Sequence, residues 1–347
     1  MIYFHNDYCE GCHEKVLQKL IETNMEQTPG YGTDHYCHEA AEKIRKICGR
    51  EDLDVHFLVG GTQANLTVID AALRPHQAAL GPVGAHINVH ETGAVEATGH
   101  KVLSVPSEDG KITAQQVREV VTAHRASDSF EHEAQPKLVY ISNPTEYGTL
   151  YSYGELEALS ETCHELGLYL FLDGARLGYG LMAKYYDVTM EDIARLCDVF
   201  YIGGTKVGAL FGEAVVIGNK TIGEDFRYLI KQHGGMLAKG RLLGVQFDAL
   251  FEDDLYFKIS AHAVEMADRI RNVLDELKVP YLVPGITNQI FPILPDDALA
   301  ELGKEFVFTE MGRFDENHRC IRICTSWATK EANVNLLCDA FTRVLKA

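Results

Sequence analysis

The feature that most constrains the fold of this chain is a pair of short apolar runs that both end in polar and glycine residues. Residues 168–172 lead into Asp173 and Arg176, and residues 199–202 lead into a glycine-rich turn that contains Lys206. Apolar runs of this length predict buried strands of a parallel sheet, and the helical pattern between them has the length of a crossover. Because parallel strands end at the same edge of a sheet, we expect these three polar side chains to face one crevice.

A lysine and a carboxylate at neighbouring strand ends are the groups that pyridoxal phosphate (PLP) requires. PLP binds a lysine amine as a Schiff base, and a carboxylate keeps its pyridine nitrogen protonated so that the ring withdraws electrons from a carbanion. Lys206 is the predicted Schiff-base lysine, and Asp173 is the predicted partner of the ring nitrogen. Each residue alone also fits an ordinary role, as a helix cap or an exposed turn residue, and it is their pairing that favours PLP.

A second glycine turn lies between a predicted strand at residues 54–59 and a predicted helix. Backbone N–H groups at such a turn approach an anion closely, and the helix dipole favours negative charge there. The same kind of turn occurs in α/β proteins that bind no anion, so it indicates a phosphate site only together with Lys206 and Asp173. The predicted contacts of the PLP phosphate are Gly61, Thr62 and Gln63.

The order of strand and helix patterns predicts an α/β fold with two domains. Through about residue 244 the patterns predict a mainly parallel sheet with helices on both faces. Beyond that point a long helix, short alternating strands and a closing helix predict a smaller α+β domain. The predicted units are an N-terminal arm at 1–14, a large PLP-binding domain at 15–244 and a small C-terminal domain at 245–347.

Charge and hydropathy exclude several classes of partner. The 347 residues carry a formal net charge of −18 with 46% hydrophobic residues, and no basic stripe is present. This charge argues against nucleic acid and anionic membranes as partners. No apolar run approaches the roughly eighteen residues of a membrane span, and the first residues lack the pattern of a signal peptide. We therefore expect a cytoplasmic enzyme that acts on a small amino acid.

The nine cysteines are too sparse, and odd in number, for a disulfide framework, which fits a reducing compartment. One cluster, formed by Cys9, Cys12 and His13, has the spacing of a c-type haem attachment site. Haem attachment normally needs export, and a second pair of zinc ligands is missing. A haem- or metal-binding redox protein therefore stays a remote alternative, and no metal site is predicted.

Three motifs in a fixed order resemble one enzyme family. They are Asp-Gly-Ala-Arg at 173–176, Gly-Thr-Gln-Ala-Asn at 61–65 and the turn that contains Lys206. Together, over nearly the whole chain, they resemble the low-specificity threonine aldolases, a branch of the fold-type I PLP enzymes. The resemblance implies retro-aldol cleavage of L-threonine and related β-hydroxy amino acids to glycine and an aldehyde, by a homodimer or homotetramer.

The resemblance also implies roles for individual side chains. His86 would lie flat over the PLP ring, and Asn143 would contact the phenolic oxygen of PLP. Arg322, helped by Arg176, would hold the substrate carboxylate through a fork of N–H donors. His86 or His132 would take the hydroxyl proton, because an imidazole ordinarily has a pKa of about 6.5.

Two further residues would act at the site of a neighbouring subunit. Tyr31 lies in a turn that resembles a family turn near the partner's active site. Leu237 stands where the family usually has an arginine that binds the phosphate across the dimer, so Lys239 or Arg241 would have to replace it. A plain turn is the alternative for Tyr31.

Several positions depart from the family pattern and keep other reactions open. Asn6 stands where the family usually has a serine near the carboxylate, and residues 144–147 depart from the Asn-Thr-His-Asn segment that the family usually carries. β-Elimination, racemisation and transamination use the same cofactor and the same kind of site, but with a different bond of the substrate perpendicular to the ring. Alternatively, Arg322 is a surface residue on an edge strand, and Arg313 or Arg319 would then bind the carboxylate.

Overall fold

A computed structural model describes residues 1–346, and its strands alternate with helices through the first two-thirds of the chain. The strands are β1 (Ile2–Tyr3), β2 (Asp54–Leu58), β3 (Gln77–Pro82), β4 (Lys101–Val105), β5 (Gln135–Ser142), β6 (Tyr169–Asp173), β7 (Val199–Gly203), β8 (Glu213–Ile217), β9 (Gln289–Ile290), β10 (Ile293–Pro295), β11 (Phe306–Val307), β12 (Thr309–Arg313) and β13 (His318–Cys324).

The helices are α1 (Glu14–Glu22), α2 (His35–Ile47), α3 (Gly61–Ala72), α4 (His86–Val89), α5 (Ala94–Ala97), α6 (Ala114–Ala126), α7 (Tyr153–Leu166), α8 (Leu177–Leu181), α9 (Met190–Leu196), α10 (Lys220–Gly223), α11 (Phe226–Gln232), α12 (Arg241–Leu250), α13 (Leu255–Glu276), α14 (Asp296–Leu302) and α15 (Glu331–Leu345), with a 3-10 helix at Phe130–His132. Within residues 1–346, none of them is long and apolar enough to cross a lipid bilayer.

The large sheet has seven strands in the order β2-β8-β7-β6-β5-β3-β4. Strands β4, β3, β5, β6 and β7 pair in parallel, whereas β8 runs antiparallel to both β7 and β2. Strands β5, β6 and β7 therefore end at one edge, as the paired apolar runs predict. The crossover helix α9 also matches the helical pattern between the two runs.

Helices cover both faces of this sheet, because side chains alternate along each strand. On β7, Phe200 and Ile202 pack into a core with α2, α7, α9, α12 and the first half of α13. Val199 and Tyr201 point the other way, into a core with α3, α5, α10 and α11. Both faces are apolar, which explains why the central strands read as continuous apolar runs in the sequence.

The C-terminal region forms its own core on a small antiparallel sheet. Strand β13 lies between β10 and β12 and also pairs with β9. The second half of α13 and α15 pack against it. At residues 279–283 the structure has no strand, and an isolated bridge joins Tyr281 to Pro292 there.

The first residues are part of this small core, which the expectation of a separate arm at 1–14 does not describe. Strand β1 pairs in parallel with β11, with Ile2 opposite Phe306. Phe4 is buried in the same core, and its carbonyl accepts a hydrogen bond of 2.7 Å from the N–H of Cys324. The chain thus starts in the small domain before it enters the large one.

Candidate active site

The predicted crevice lies at the carboxyl edge of β5, β6 and β7. Asp173 is the last residue of β6 and lies opposite Ser142, the last residue of β5. Lys206 follows β7 in a turn that spans residues 203–212, here called the lysine turn. The structure thus brings Asp173 and Lys206 to one edge of the sheet, and each lies within electrostatic reach of the other.

Two glycines let the ends of β6 and β7 approach this closely. A Cβ atom on Gly174 would lie 1.9 Å from the carbonyl oxygen of Tyr201, and one on Gly203 would lie 2.3 Å from that of Ala175. No side chain fits at either position. The glycines that follow the two apolar runs are therefore needed to hold the aspartate and the lysine together.

Lys206 is surrounded by charged groups. Burial lowers the pKa of its amine, and the neighbouring Arg176 guanidinium lowers it further, whereas Asp7, Asp173 and Glu213 oppose this shift. A lowered pKa increases the fraction of the neutral amine, which is the nucleophilic form. This environment suits a lysine that binds a carbonyl carbon.

Asp173 is held by donors on both carboxylate oxygens. Oδ2 accepts hydrogen bonds from the Tyr140 hydroxyl at 2.5 Å and from Asn65 Nδ2 at 3.1 Å, and Oδ1 accepts one from the Ala175 N–H at 3.0 Å. Burial alone would raise its pKa, but the charge of His86 and these hydrogen bonds lower it below the usual value. Asp173 is therefore an ionised, fixed carboxylate.

His86 is linked to Asp173 through two other side chains. Its Nδ1 lies 2.7 Å from Glu91 Oε1, and the same oxygen accepts a hydrogen bond of 2.7 Å from Asn65 Nδ2. Asn65 in turn donates to Asp173. Burial lowers the pKa of His86, but the hydrogen bond to Glu91 and the charge of Asp173 outweigh it and raise the pKa. Glu91 thus fixes the imidazole and leaves Nε2 for other partners.

Arg176 forms a buried ion pair that the sequence did not reveal. Its Nε and Nη2 donate to the two carboxylate oxygens of Asp7 at 2.6 and 3.0 Å, and Asn288 donates to Asp7 at 2.9 Å. Burial would raise the pKa of Asp7, but the charges of Arg176 and Lys206 lower it. The expected contact of Arg176 with substrate is therefore left to the N–H groups of Nη1 and Nη2 that Asp7 does not occupy, and Asp7 is a site residue that no local pattern identifies.

Arg322 has a guanidinium that is only partly satisfied by protein atoms. It lies on β13, which is flanked by β10 and β12, so the alternative of an edge strand is wrong. Its Nη2 donates to the carbonyl of His5 at 3.2 Å, while its buried Nε has no hydrogen-bond partner among residues 1–346. A buried donor without a partner is costly, and a carboxylate would satisfy it.

The neighbours of Arg322 relate it to the crevice. Cys324 shares its face of β13, as strand alternation predicts, and lies within reach of the charges of Asp7 and Lys206. The fallback candidates Arg313 and Arg319 are instead paired with carboxylates of their own domain. Of these three arginines, Arg322 is the one whose buried Nε–H group has no hydrogen-bond partner among residues 1–346.

The N-terminus of α3 provides the expected anion site, but with fewer free donors than predicted, because the Gln63 side chain already makes two hydrogen bonds. Gly60 is the N-cap and offers no side-chain cap, so the first backbone N–H groups of this 12-residue helix, including those of Gly61 and Thr62, have no capping acceptor. The Gln63 side chain is partly occupied, because it accepts from the N–H of Val59 and donates to the carbonyl of His233. Gln63 therefore keeps its backbone N–H and one side-chain amide N–H for a phosphate.

The segment after β5 carries a half-buried acid that sequence reasoning did not single out. Glu146 Oε1 accepts hydrogen bonds from the Ser142 hydroxyl at 2.8 Å and from the N–H of His86 at 2.9 Å, and burial raises its pKa. Asn143 accepts from the N–H of Tyr151 and donates to Tyr186, which leaves one amide N–H for the predicted contact. Glu146 lies where the chain departs from the family pattern, and this departure was the available signal.

Within one chain His132 lies away from this crevice, and its role as a base remains a prediction. His132 ends the 3-10 helix that precedes β5, whereas the site lies after the other end of that strand. Eight extended residues separate the two ends by roughly 20 Å. Asn6 does not face a ligand through its side-chain oxygen either, because Oδ1 accepts from the N–H of Tyr8 and from the Cys9 thiol.

Tyr31 and Lys239 lie beside each other on the surface. The N–H of Tyr31 donates to the carbonyl of Ala238 at 3.2 Å, and Lys239 is exposed. Arg241, the other cation considered for the phosphate, donates to the carbonyls of Asn24 and Glu26 and is thereby occupied. The roles of Tyr31 and Lys239 at a partner's site remain predictions.

The Cys9–His13 segment packs against the lysine turn. The N–H of His13 donates to the carbonyl of Gly208 at 2.9 Å, and its ring lies 5.7 Å from that of Trp327. Across the described part of the chain, no group of three or more His, Cys, Asp or Glu side chains is arranged to hold a metal ion.

Curated relatives of this chain carry one name. The low specificity L-threonine aldolase of Pseudomonas sp. (strain NCIMB 10558) is 31% identical over 352 residues, which cover 99% of this chain and 98% of that protein. The enzyme of the same name from Pseudomonas aeruginosa is 30% identical over 87% of this chain and 84% of its own length.

Solved structures and a family model agree with these relatives. A threonine aldolase from Leishmania major superposes with a TM-score of 0.97 at 44% identity and covers 99% of this chain and 100% of its own. A Thermus thermophilus aspartate aminotransferase superposes with a TM-score of 0.72 at 17% identity, covering 99% and 91%, a likeness that shows the fold alone. The predicted fold-type I architecture is confirmed. The model of the family described as beta-eliminating lyase matches residues 7–296, and the chain belongs to this family.

Proposed function

We propose that this protein is a PLP-dependent lyase that cleaves L-threonine and related β-hydroxy amino acids to glycine and an aldehyde. The observation that carries the proposal is the placement of half-buried Lys206 and ionised Asp173 at adjacent strand ends, together with the unpaired Nε of Arg322. The names of the relatives support the choice of aldol cleavage over other reactions of the same fold.

The residues of the site fit PLP. Lys206 would hold the aldehyde carbon, Asp173 the ring nitrogen, and the backbone N–H groups of Gly61 and Thr62 the phosphate. His86 would lie against the ring, and the uncapped N-terminus of α3 gives the phosphate an attractive dipole. When bound, PLP supplies an electron sink for the carbanion that bond cleavage leaves at Cα.

The chain's own residues would orient the substrate and move its proton. Arg322 binds the carboxylate with its open Nε and a second N–H, which fixes the rotation of the amino acid about Cα. His86, held through Nδ1 by Glu91, accepts the β-hydroxyl proton at Nε2. Asp7 keeps Arg176 beside Lys206, so the guanidinium disfavours the ammonium form of the lysine.

We also infer a homodimer or homotetramer in the cytoplasm. Leu17, Ile21 and Met25 form an exposed apolar row on and just after α1, with exposed fractions of 49%, 61% and 87%. Such a row favours burial against a second copy. In that assembly Tyr31 and Lys239 would reach the site of the partner subunit. The free cysteines support a reducing compartment.

Product analysis tests the proposed reaction. Purified protein supplemented with PLP is mixed with L-threonine, its β-phenyl analogue, L-serine and a β-substituted alanine. Glycine and the matching aldehyde are expected from the first two substrates. If these give no glycine while serine or the substituted alanine gives pyruvate and ammonia, the enzyme is a β-eliminating lyase and the aldolase assignment fails.

A further inference from the structure

A large cavity lies at the amino edge of the seven-stranded sheet, opposite the candidate active site, and is here called the amino-edge cavity. It has a volume of 790 Å³ and is lined by the C-terminal ends of α3, α6 and α7 and by the first residues of β5 and β6. Strand β5 runs from this cavity to Ser142 at the other edge of the sheet, so roughly 20 Å separate the two places. The chemistry proposed for Lys206 does not use this cavity.

The charged side chains that line the amino-edge cavity are all basic. They are Arg74 just after α3, His124 and Arg125 in the last turn of α6, and Lys137 near the start of β5. Among the lining residues of the described chain there is no aspartate or glutamate, although the sequence has 50 acidic residues against 32 lysines and arginines. The cavity therefore concentrates positive charge on a protein whose formal net charge is −18.

These basic side chains have no carboxylate partners of their own. Within residues 1–346 none of the four forms an ion pair, whereas Arg118, on the same helix as two of them, is paired with Glu165. Arg74 donates to Gln77 through its backbone N–H, and its guanidinium makes no hydrogen bond in the described chain. His124 Nε2 is shielded from solvent and has no partner either. A buried imidazole nitrogen without a partner is costly, and an anion in the cavity would accept its N–H.

Two of the cations also stabilise the C-terminus of α7. Arg125 Nη2 donates to the carbonyl of Leu166 at 2.8 Å, and Lys137 Nζ donates to the carbonyl of Gly167. Contacts of this kind favour a positive side chain at a helix C-terminus even without a ligand. They use one N–H of each side chain, so both cations are held in place with other N–H groups still free.

Aromatic side chains form part of the wall beside these cations. Phe130 has a relative exposure of 47%, and its ring meets that of His124 edge to face at 6.2 Å. Tyr169 lies under the Lys137 ammonium group, which is 4.7 Å from the centre of its ring. A planar group that packs against Phe130 would remove exposed apolar surface from water.

We propose that the amino-edge cavity binds a small phosphate monoester that carries a planar ring. A phosphate monoester has about two negative charges at neutral pH and three free oxygens, so it matches several converging cations better than a single carboxylate does. The volume of the cavity lies within the range of about 300 to 1,000 Å³ that is usual for small-molecule sites. The phosphate lies among Arg74, His124, Arg125 and Lys137, and the ring lies beside Phe130.

Equilibrium dialysis of phenyl phosphate against the full-length protein, purified with PLP and separated from free PLP, tests the proposal. We expect one site per chain, with an affinity that falls as the ionic strength rises. Arg74→Glu should raise Kd by at least about tenfold, because it removes a charged donor and adds a negative charge. If phenyl phosphate does not bind, the cations serve only the end of α7 and the proposal is overturned.

Lys101→Glu is the matched control for Arg74→Glu. Lys101 is an exposed cation at the start of β4, at the same edge of the sheet but outside the cavity. Its replacement changes the net charge by the same amount and should alter Kd less than about twofold, because exposed charges farther apart than about 10 Å are screened. An equal loss in both variants would show non-specific attraction, and an unchanged Kd in Arg74→Glu would place the ligand elsewhere. Either result rejects the site.

Inorganic phosphate and the Phe130→Ala variant test the position of the ring. Inorganic phosphate should bind wild-type protein more weakly than phenyl phosphate, and Phe130→Ala should reduce that difference. If the two ligands bind wild-type protein equally well, or if Phe130→Ala leaves the difference unchanged, the ring is not recognised beside Phe130 and the proposed ligand class is wrong.

Acetylation of lysines by acetic anhydride gives a measurement on the wild-type protein, which decides the question even if a variant does not fold. Phenyl phosphate should slow the labelling of Lys137 in proportion to its occupancy and leave the labelling of Lys101 unchanged. Labelling of Lys137 that phenyl phosphate does not slow, or equal protection of both lysines, would reject the proposal.

Discussion

Replacing Arg322 with alanine separates recognition of the substrate carboxylate from cofactor binding. Within residues 1–346, Arg322 makes one hydrogen bond to the protein, from Nη2 to the carbonyl of His5, and none to Asp173 or Lys206. The variant should therefore bind PLP as the wild type does. Its substrate, however, loses a fork of charge-assisted hydrogen bonds that includes the buried Nε.

The size of the effect follows from the number and type of the lost contacts. Hydrogen bonds to charged groups contribute about 1.5 to 3 kcal/mol. Because 1.4 kcal/mol corresponds to about a factor of ten, KM for L-threonine should rise between about 10- and 150-fold. Arg322→Lys keeps the charge without the planar fork and should fall between the two proteins.

Steady-state kinetics with L-threonine, followed through acetaldehyde formation, measures this change, and the absorbance of bound PLP checks cofactor content. Arg319→Ala is the matched control, since Arg319 lies on the same strand, faces the other way and is paired with Asp296 and Glu310. A wild-type KM in Arg322→Ala, or an equal rise in Arg319→Ala, would refute the reasoning and direct attention to the Nη1 of Arg176.

Borohydride reduction and peptide mapping should find PLP on Lys206, and label on another lysine would contradict the site. In Glu91→Gln the raised pKa of His86 should fall, so the acid limb of the pH–rate profile should move to lower pH; an unmoved limb would exclude His86 as the base. Asp7→Asn breaks a buried ion pair and should cost about 3 to 5 kcal/mol of folding stability at neutral pH, read from denaturant unfolding. Because the pKa of Asp7 is lowered in the fold, this deficit should shrink as the pH falls through the carboxyl range, and a pH-independent deficit would argue against the ion pair. His132→Ala should leave kcat and KM unchanged, and a loss of activity would show that the loop before β5 reaches a site.

Residues that directly follow a strand were predictable from the sequence, whereas those that reach the site from elsewhere were not. Asp173 and Lys206 are marked by apolar runs and by glycines that local packing requires. Asp7 and Glu213 contribute through contacts between distant segments, and nothing in their neighbours signals a buried carboxyl group. His132 lies away from the crevice of its own chain because a residue before a strand lies at the opposite edge from a residue after it.

The first seven residues act as a short tether between the two domains. Phe4 is anchored in the small core, and Asp7, three residues later, is bound to Arg176 of the large domain. Three extended residues span at most about 10 Å, so these two anchor points stay within that distance of each other while both contacts hold. The same short segment therefore ties the small core to a carboxylate whose charge acts on Lys206.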